Sequence, residues 1–168
     1  MRLAITGTPG VGKSSLADEL SLLLGTKVIH LTQYIKRHRL AEAYDSKRES
    51  MVIDPKALEK SLRANLPKGG YIVEGHLSQT LPPHFFDACI LLRCQTDILR
   101  KRLSARRYSP EKIQENLDCE LLDVCGHEAR VGKHRVLVAD STRATPRALA
   151  NKVFMALRRF STASMSPK

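Results

Sequence analysis

Short runs of apolar residues alternate with longer amphipathic segments along most of the chain. The apolar runs predict five buried strands, at about residues 3–6, 27–30, 71–74, 88–92 and 135–139. The segments between them predict helices at about residues 13–24, 56–65, 97–105, 110–130 and 146–160. Because strands alternate with helices, the pattern indicates an α/β fold with a parallel sheet.

Three stretches give weaker patterns. Residues 31–43 are mixed and basic, and we expect a helix there; residues 44–53 show little periodicity and are expected to be irregular. The polar tail at 161–168 is expected to be disordered. With no internal repeat and no linker, residues 1–160 are predicted to form a single domain.

A glycine-rich loop follows the first predicted strand. Residues 7–14, GTPGVGKS, match the pattern G-x-x-x-x-G-K-[ST] between a strand and a helix. Glycines let successive backbone N–H groups turn inward as a nest for anions, and the positive end of the following helix adds to it. Lys13 supplies a cation for the β- and γ-phosphates, and the Ser14 hydroxyl is a hard ligand for Mg²⁺. The loop predicts nucleoside triphosphate binding rather than a purely structural turn.

An acid and a histidine follow the third predicted strand. Glu74 ends the apolar run at 71–73, and His76 comes two residues later. Enzymes with this type of loop usually hold a water of the Mg²⁺ ion with an acid at the end of a neighbouring strand. Glu74 is therefore a candidate Mg²⁺ residue, and His76 could position a water or a substrate phosphate. The alternatives are a surface glutamate and an ordinary loop histidine.

Arginines cluster at the end of the helix predicted at 97–105. Arg102 and Arg106 are four residues apart and share a helical face. Guanidinium groups suit the negative charge that builds up in phosphoryl transfer. A hinged cover over the nucleotide is one interpretation of this segment; a solvated basic helix end is the other.

The composition is that of a globular protein with a large basic excess. There are 28 Lys and Arg against 17 Asp and Glu, a formal charge of +11. Phosphate-rich partners such as nucleotides, RNA or a ribosomal surface are expected, and a solvated basic face is the alternative. The four cysteines lack metal or redox spacing and are interpreted as buried apolar side chains. No apolar run is long enough for a membrane span, and we expect no membrane partner and a cytoplasmic location, or a nuclear one in a eukaryote.

Taken together, these motifs resemble the adenylate kinase isoenzyme 6 family of archaea and eukaryotes. The phosphate loop is shared with many kinases, but its combination with the Glu74-x-His76 segment and residues 102–120 is much more specific. Further matches run through about residues 1–157 and include Tyr44-Asp45, Val52-Ile53-Asp54, Glu128-Ala129 and Asp140-Ser141-Thr142.

The resemblance implies a P-loop NTPase fold of the nucleoside monophosphate kinase type. It implies a five-stranded parallel sheet flanked by helices, a monophosphate-binding arm at about 30–53 and a lid at about 105–115. The implied activity is transfer of the terminal phosphate of ATP to AMP or a related monophosphate with Mg²⁺, beside a slower ATPase. A role in small ribosomal subunit maturation, through a ribosomal protein of the S-eleven class and rRNA, also goes with the family.

Residue by residue, the motifs and the resemblance predict three overlapping sets. The nucleotide-binding set is Gly10, Val11, Gly12, Lys13, Ser14, Ser15, Arg102, Arg106 and Arg143. The catalytic set is Lys13, Glu74, His76 and Arg106, and the Mg²⁺ residues are Ser14 and Glu74.

Three features, at four positions, depart from the family pattern. Arg107 and Arg143 stand where glycine is usual, and Lys47 with Arg48 interrupt an arm that is normally acidic. Arg107 could stiffen the hinge or add a phosphate contact. Two other functions stay open: an ATP-dependent ribosome assembly factor whose kinase activity is secondary, and a kinase of a small metabolite such as a sugar acid.

Overall fold

The computed structural model describes residues 1–46 and 50–162. Its strands are β1 (Arg2–Thr6), β2 (Lys27–His30), β3 (Ala41–Asp45), β4 (Ser50–Ile53), β5 (Tyr71–Glu74), β6 (Ala88–Arg93) and β7 (Val136–Asp140). Its α-helices are α1 (Lys13–Leu24), α2 (Leu31–Arg37), α3 (Pro55–Asn65), α4 (Thr96–Ala105), α5 (Pro110–Leu121), α6 (Val124–Val131) and α7 (Pro146–Thr162). Short 3₁₀ turns occupy Ser78–Thr80 and Pro83–Phe85. The disorder predicted over 161–168 is wrong for residues 161 and 162, which belong to the last turn of α7. Residues 163–168, like the departures at Lys47 and Arg48, fall outside the described residues.

Five strands form one parallel sheet in the order β2-β5-β1-β6-β7. In its centre Ile5 lies opposite Glu74 on one side and opposite Ile90 on the other. The five predicted strands and the parallel sheet are confirmed, with strand ends within one residue of those observed. Because the carboxyl ends of parallel strands share one edge, the loops after β1, β5, β6 and β7 meet there.

Two apolar clusters cover the two faces of this sheet. Leu3 and Ile5 point to one face and pack in the cluster that contains Leu16 of α1. Ala4 points to the other face and belongs to the cluster that contains Leu58 of α3. Strands buried on both faces are apolar at successive positions, which is why they stand out in the sequence as continuous runs.

The segment between β2 and α3 differs from its predicted structure. The helix expected over 31–43 ends at Arg37, where His38 stacks on Tyr34 and Arg39 adopts a left-handed conformation (φ 53°). Residues 41–53, expected to be part helical and part irregular, form the antiparallel pair β3–β4 on either side of the undescribed residues 47–49. Tyr44 is 63% exposed. A ribbon that is largely open to solvent carries no alternating pattern for the sequence to show.

The helix predicted over 110–130 is wrong at its middle. It breaks between α5 and α6 at Asp123, which has a left-handed backbone (φ 53°). A Cβ on Gly126 would lie 2.3 Å from Asp123 Oδ1, so glycine leaves room for this carboxylate over the start of α6. There the carboxylate pairs with Arg93 and Arg130. Ion pairs with distant residues thus compensate a break that helical periodicity alone does not signal.

Two further sequence expectations concern cysteines and the membrane. All four cysteines are free. The prediction that all of them are buried holds for Cys89 and Cys94 and is wrong for Cys119 and Cys125, which are partly exposed. Burial raises the pKa of Cys89 to about 12 and that of Cys125 to about 11, so both are thiols at neutral pH. Across residues 1–46 and 50–162, none of the helices combines the length and apolar character that a membrane crossing requires.

Candidate active site

The loop between β1 and α1 has the backbone of an anion nest. Gly10 and Gly12 have positive φ angles of 91° and 99°. A Cβ on Gly10 would lie 2.8 Å from Leu103 Cδ2, so only glycine lets the loop pack on α4. A Cβ on Gly12 would meet nothing within 4 Å, so the backbone there faces open space at the start of α1. These are the features that an approaching phosphate requires.

Lys13 lies over this nest. Its Nζ donates to the carbonyl oxygens of Gly7 at 2.8 Å and Thr8 at 3.1 Å. Burial lowers the pKa of Lys13 to about 8, and the carboxylate of Glu74 opposes that shift in part. The loop thus holds a partly desolvated ammonium group, whose attraction to a phosphate is stronger than that of a solvated one.

Glu74 and Ser14 meet as the sequence predicts. Glu74 is 6% exposed, and its Oε1 accepts from Ser14 Oγ at 3.1 Å. The same oxygen lies 2.8 Å from His30 Nδ1, and His30 Nε2 lies 3.2 Å from Asp18 Oδ1. His30 and Asp18 are absent from the predicted site, because one ends an ordinary strand and the other lies inside an ordinary helix.

His76 follows β5 on the exposed surface, between two cavities. The hairpin-side cavity, about 110 Å³, is lined by His76, Leu77 and five residues of α2 and β4: Leu31, Thr32, Ile35, Met51 and Ile53. The α5-side cavity, about 620 Å³, joins His76 to Thr8, Pro9 and residues of α5 and α6. Neighbouring residues partly desolvate the His76 ring, and this effect, followed by the charge of Lys13, lowers the pKa of His76, so the ring is neutral at pH 7. It can therefore offer a hydrogen bond to a ligand in either cavity.

A third cavity, the α4-side cavity, adjoins the phosphate loop on the other flank. It measures about 390 Å³ and is lined by these residues: Gly10, Val11, Gly12, Ser15, Leu16, Arg102, Ala105, Arg106, Ser141, Ala144, Pro146 and Leu149. Six of the nine residues of the predicted nucleotide-binding set line it, and Lys13 and Ser14, which lie between Gly12 and Ser15 in the loop, bring the number to eight. Arg143 alone stands apart.

Arg102 and Arg106 play different parts at this cavity. Arg102 Nη2 donates to the Ser141 carbonyl at 2.8 Å, and Ser141 Oγ donates to the Val11 carbonyl at 2.7 Å. Arg102 therefore ties α4 to the loop after β7 and, through Ser141, to the phosphate loop. Arg106 directly follows α4 and is exposed, which leaves it able to turn towards a ligand. Arg143 is exposed and is not among the residues that line the cavity.

A buried glutamate that the sequence did not single out for this role joins α5 to the loop. Glu120, 3% exposed, accepts from Thr8 Oγ1 at 2.5 Å, from Arg93 Nε at 2.8 Å and from the Cys94 backbone at 2.9 Å. A glutamate on an amphipathic helix gives no local sign of such partners. Arg93, the last residue of β6, forms ion pairs with Glu120 and Asp123.

The side-chain oxygens at the loop suit a Mg²⁺ ion that arrives bound to a nucleotide. No group of three or more His, Cys, Asp or Glu side chains among residues 1–46 and 50–162 could hold a metal ion on its own. Mg²⁺ usually keeps several waters and is bound by one or two protein oxygens together with substrate phosphates. The contact between Ser14 Oγ and the Glu74 carboxylate supplies two such oxygens.

Comparisons with known proteins agree with this geometry. The family model described as an AAA domain matches residues 3–123. A protein of Methanocaldococcus jannaschii named "Putative adenylate kinase" is 38% identical over 159 residues, which are 94% of this chain and 86% of the relative. The adenylate kinase isoenzyme 6 homolog of Dictyostelium discoideum is 33% identical over 138 residues, 82% of this chain and 79% of the relative.

Solved structures support the fold. The shikimate kinase of Acinetobacter baumannii, solved with shikimate, superposes with a TM-score of 0.69 at 16% identity, over 94% of this chain and 93% of that one. At such low identity the likeness shows a P-loop kinase fold and not a substrate. The matches in sequence, across most of both chains, carry the assignment further. The chain belongs to the adenylate kinase isoenzyme 6 family of P-loop kinases.

Proposed function

We propose that this protein transfers the terminal phosphate of ATP to AMP or a related nucleoside monophosphate. The observation that carries the proposal is the meeting of Lys13, Ser14 and the buried carboxylate of Glu74 at the carboxyl edge of the sheet. A cavity opens on either flank of this point, lined by Arg106 on one side and by His76 on the other. A transferase of this kind needs two nucleotide sites that share one reaction centre.

In this proposal the donor nucleotide occupies the α4-side cavity. Its phosphates lie on the N–H groups of residues 10–15, and its base and ribose pack near Ala144 and Leu149. Arg102 shapes the wall, while Arg106, at the start of the predicted lid at 105–115, supplies a mobile charge. Arg143 lies on the loop that continues from this wall, and a nucleotide contact for it requires that its exposed side chain turn inward.

The hairpin-side cavity, between the core and the predicted arm at 30–53, would hold the base of the acceptor, since its volume of about 110 Å³ is too small for a whole nucleotide. Its apolar walls, with Met51 and Ile53 on one side, suit a planar base. The neutral ring of His76 lies where the acceptor phosphate approaches Lys13 and offers a hydrogen bond without adding charge. The apolar lining argues for a nucleotide over a sugar acid, which needs several polar partners.

The chemistry asked of the protein is mostly positioning and neutralisation of charge. Lys13 and Arg106 offset the charge that develops on the transferred phosphoryl group. Ser14 and Glu74 would hold Mg²⁺, which would supply positive charge to offset that of the donor phosphates. A reaction of this type needs no protein nucleophile, because the acceptor phosphate attacks directly.

The test uses labelled acceptor, so that hydrolysis of ATP cannot imitate transfer. Protein, ATP, Mg²⁺ and [¹⁴C]AMP should give [¹⁴C]ADP, and other monophosphates and sugar acids in the same assay rank the acceptors. Lys13→Ala removes the loop cation and is expected to abolish the product. Release of inorganic phosphate without acceptor measures the ATPase activity. Absence of labelled ADP in the wild-type reaction would refute the transfer.

A second role, in maturation of the small ribosomal subunit, is favoured by charge. The formal charge of +11 exceeds what one nucleotide site requires, and Lys36, Arg37, His38 and Arg39 are all exposed at the end of α2. We expect binding to rRNA, or to a ribosomal protein of the S-eleven class, that weakens as salt rises. A variant with alanine at 36, 37 and 39 should lose affinity and flatten the salt dependence. Salt-independent binding, or none, would count against this role.

A further inference from the structure

A ring of polar contacts, two hydrogen bonds and one ion pair, joins α1 to the ends of two strands. Glu74 Oε1 accepts from Ser14 Oγ at 3.1 Å and lies 2.8 Å from His30 Nδ1. His30 Nε2 lies 3.2 Å from Asp18 Oδ1, and Asp18 is one helical turn after Ser14. The ring thus starts and ends on the helix that carries the phosphate loop.

Strand register and helix periodicity bring the four residues together. His30 lies directly opposite Glu74 in the β2–β5 pair. Ser14 and Asp18 are four residues apart, so they lie on one face of α1. The side chain of Glu74 is 8% exposed, that of His30 24% and that of Asp18 62%. The ring therefore runs from solvent, at Asp18, to a buried carboxylate.

His30 restricts the carboxylate on which the Mg²⁺ side of the site depends. Two donors converge on Oε1, from His30 and Ser14, and this fixes the plane of a group that would otherwise rotate. Among the described residues none donates to Oε2, which leaves that oxygen available. Asp18 in turn holds the imidazole in place from its other nitrogen. A carboxylate–histidine pair that orients a metal-site oxygen is a recurrent way to set ligand geometry.

We propose that His30 is a positioning residue of the phosphoryl-transfer site. Asp18 anchors the His30 ring, and the ring holds Glu74 in the orientation that Mg²⁺-bound nucleotide requires. The inference rests on the proposed function. His30 also immediately precedes α2, the first element of the predicted arm. The ring therefore connects the root of that arm to the phosphate loop.

Four variants separate positioning from packing. His30→Ala removes the donor to Glu74, and His30→Asn keeps a donor near the Nδ1 position. Asp18→Ala removes the anchor at an exposed helix position that tolerates alanine. His127→Ala, an exposed histidine on α6, is the matched control. Each variant is measured for ATP affinity with and without Mg²⁺, using a fluorescent ATP analogue in competition, and for kcat and KM with AMP.

The expected result is a loss confined to Mg²⁺-dependent steps. In His30→Ala, the Mg²⁺ concentration for half-maximal activity should rise about 10-fold and kcat should fall about 10-fold. ATP affinity without Mg²⁺ and KM for AMP should change less than about 3-fold, because His30 lines neither of the two cavities proposed for the nucleotides. His30→Asn should recover most of the loss, Asp18→Ala should lie between, and His127→Ala should match the wild type.

Two results would overturn the proposal. One is a wild-type Mg²⁺ dependence in both His30→Ala and Asp18→Ala; the other is a His30→Asn variant as impaired as His30→Ala, which would assign the effect to packing. If His30→Ala does not fold, Asp18→Ala decides. If the wild type transfers no phosphate to AMP, the proposed function fails, while the Mg²⁺-dependent gain in ATP affinity still tests the ring by itself.

Discussion

The carboxylate of Glu120 ties α5 to the phosphate loop, and its removal should destabilise the protein strongly. It is 3% exposed and accepts from Thr8 Oγ1, Arg93 Nε and the Cys94 backbone, at 2.5, 2.8 and 2.9 Å. In Glu120→Ala, the buried Thr8 hydroxyl and the Cys94 N–H lose this acceptor. The Arg93 guanidinium keeps its pair with Asp123.

These losses set the expected magnitude. Removal of one partner of a buried ion pair costs about 3–5 kcal/mol, and the surviving Asp123 pair places this case at about 3–4 kcal/mol. For a domain of this size that lowers Tm by about 6–16 °C. Glu120→Gln keeps the size and one acceptor oxygen, so it should lose about 1–3 kcal/mol.

The assay is urea unfolding followed by circular dichroism, with Tm as a second readout. Glu115→Ala is the control, since Glu115 is an exposed glutamate on the same helix. It should stay within about 0.5 kcal/mol of the wild type. If Glu120→Ala were as stable as Glu115→Ala, the network could not be what holds α5 against the loop.

Three further predictions concern the loop and the predicted lid. Arg107 has a left-handed backbone (φ 60°), so Arg107→Gly should stabilise the protein by about 0.5–1 kcal/mol in urea unfolding, and a loss of stability would show that its side chain matters more than its backbone. In Gly10→Ala the new Cβ would lie 2.8 Å from Leu103 Cδ2 at a φ of 91°, so nucleotide binding measured by titration calorimetry should be lost; affinity close to wild type would exclude this tight fit. Lys13→Met should stabilise the nucleotide-free protein at pH 7 by about 1–3 kcal/mol, because the charged ammonium is held in a desolvating site. Burial lowers the pKa of Lys13 in the folded protein from 10.5 to about 8. The stability of the wild type should therefore rise between about pH 8 and 10.5, and its Tm should approach that of Lys13→Met. A Tm difference between the two proteins that stays constant over this range would contradict a desolvated Lys13 ammonium group.

The sequence predicts those parts of the fold whose pattern is local. Five continuous apolar runs mark the strands because both faces of the sheet are covered, and the spacing of Gly7, Gly12 and Lys13 marks the loop. The β3–β4 ribbon was missed because its exposed faces need no alternation, and the break at Asp123 because its compensation comes from Arg93, 30 positions away.

The candidate site divides in the same way. Lys13, Ser14 and Glu74 follow from motif and strand position, and the structure brings them together. Glu120 and His30 act through partners remote in the chain: Thr8 lies 112 positions from Glu120, and Glu74 lies 44 positions from His30. Nothing local distinguishes them from an amphipathic-helix glutamate and a strand-end histidine, so only the assembled sheet reveals them.

The reverse reaction tests the central claim most directly. Protein incubated with ADP and Mg²⁺ alone should form ATP and AMP in equal amounts, and a Lys13→Ala sample should form neither. Hydrolysis cannot produce ATP from ADP, so this measurement separates a phosphotransferase from an ATPase. Equal yields of ATP and AMP are the predicted result; release of phosphate from ATP by a protein that makes no ATP from ADP would contradict it.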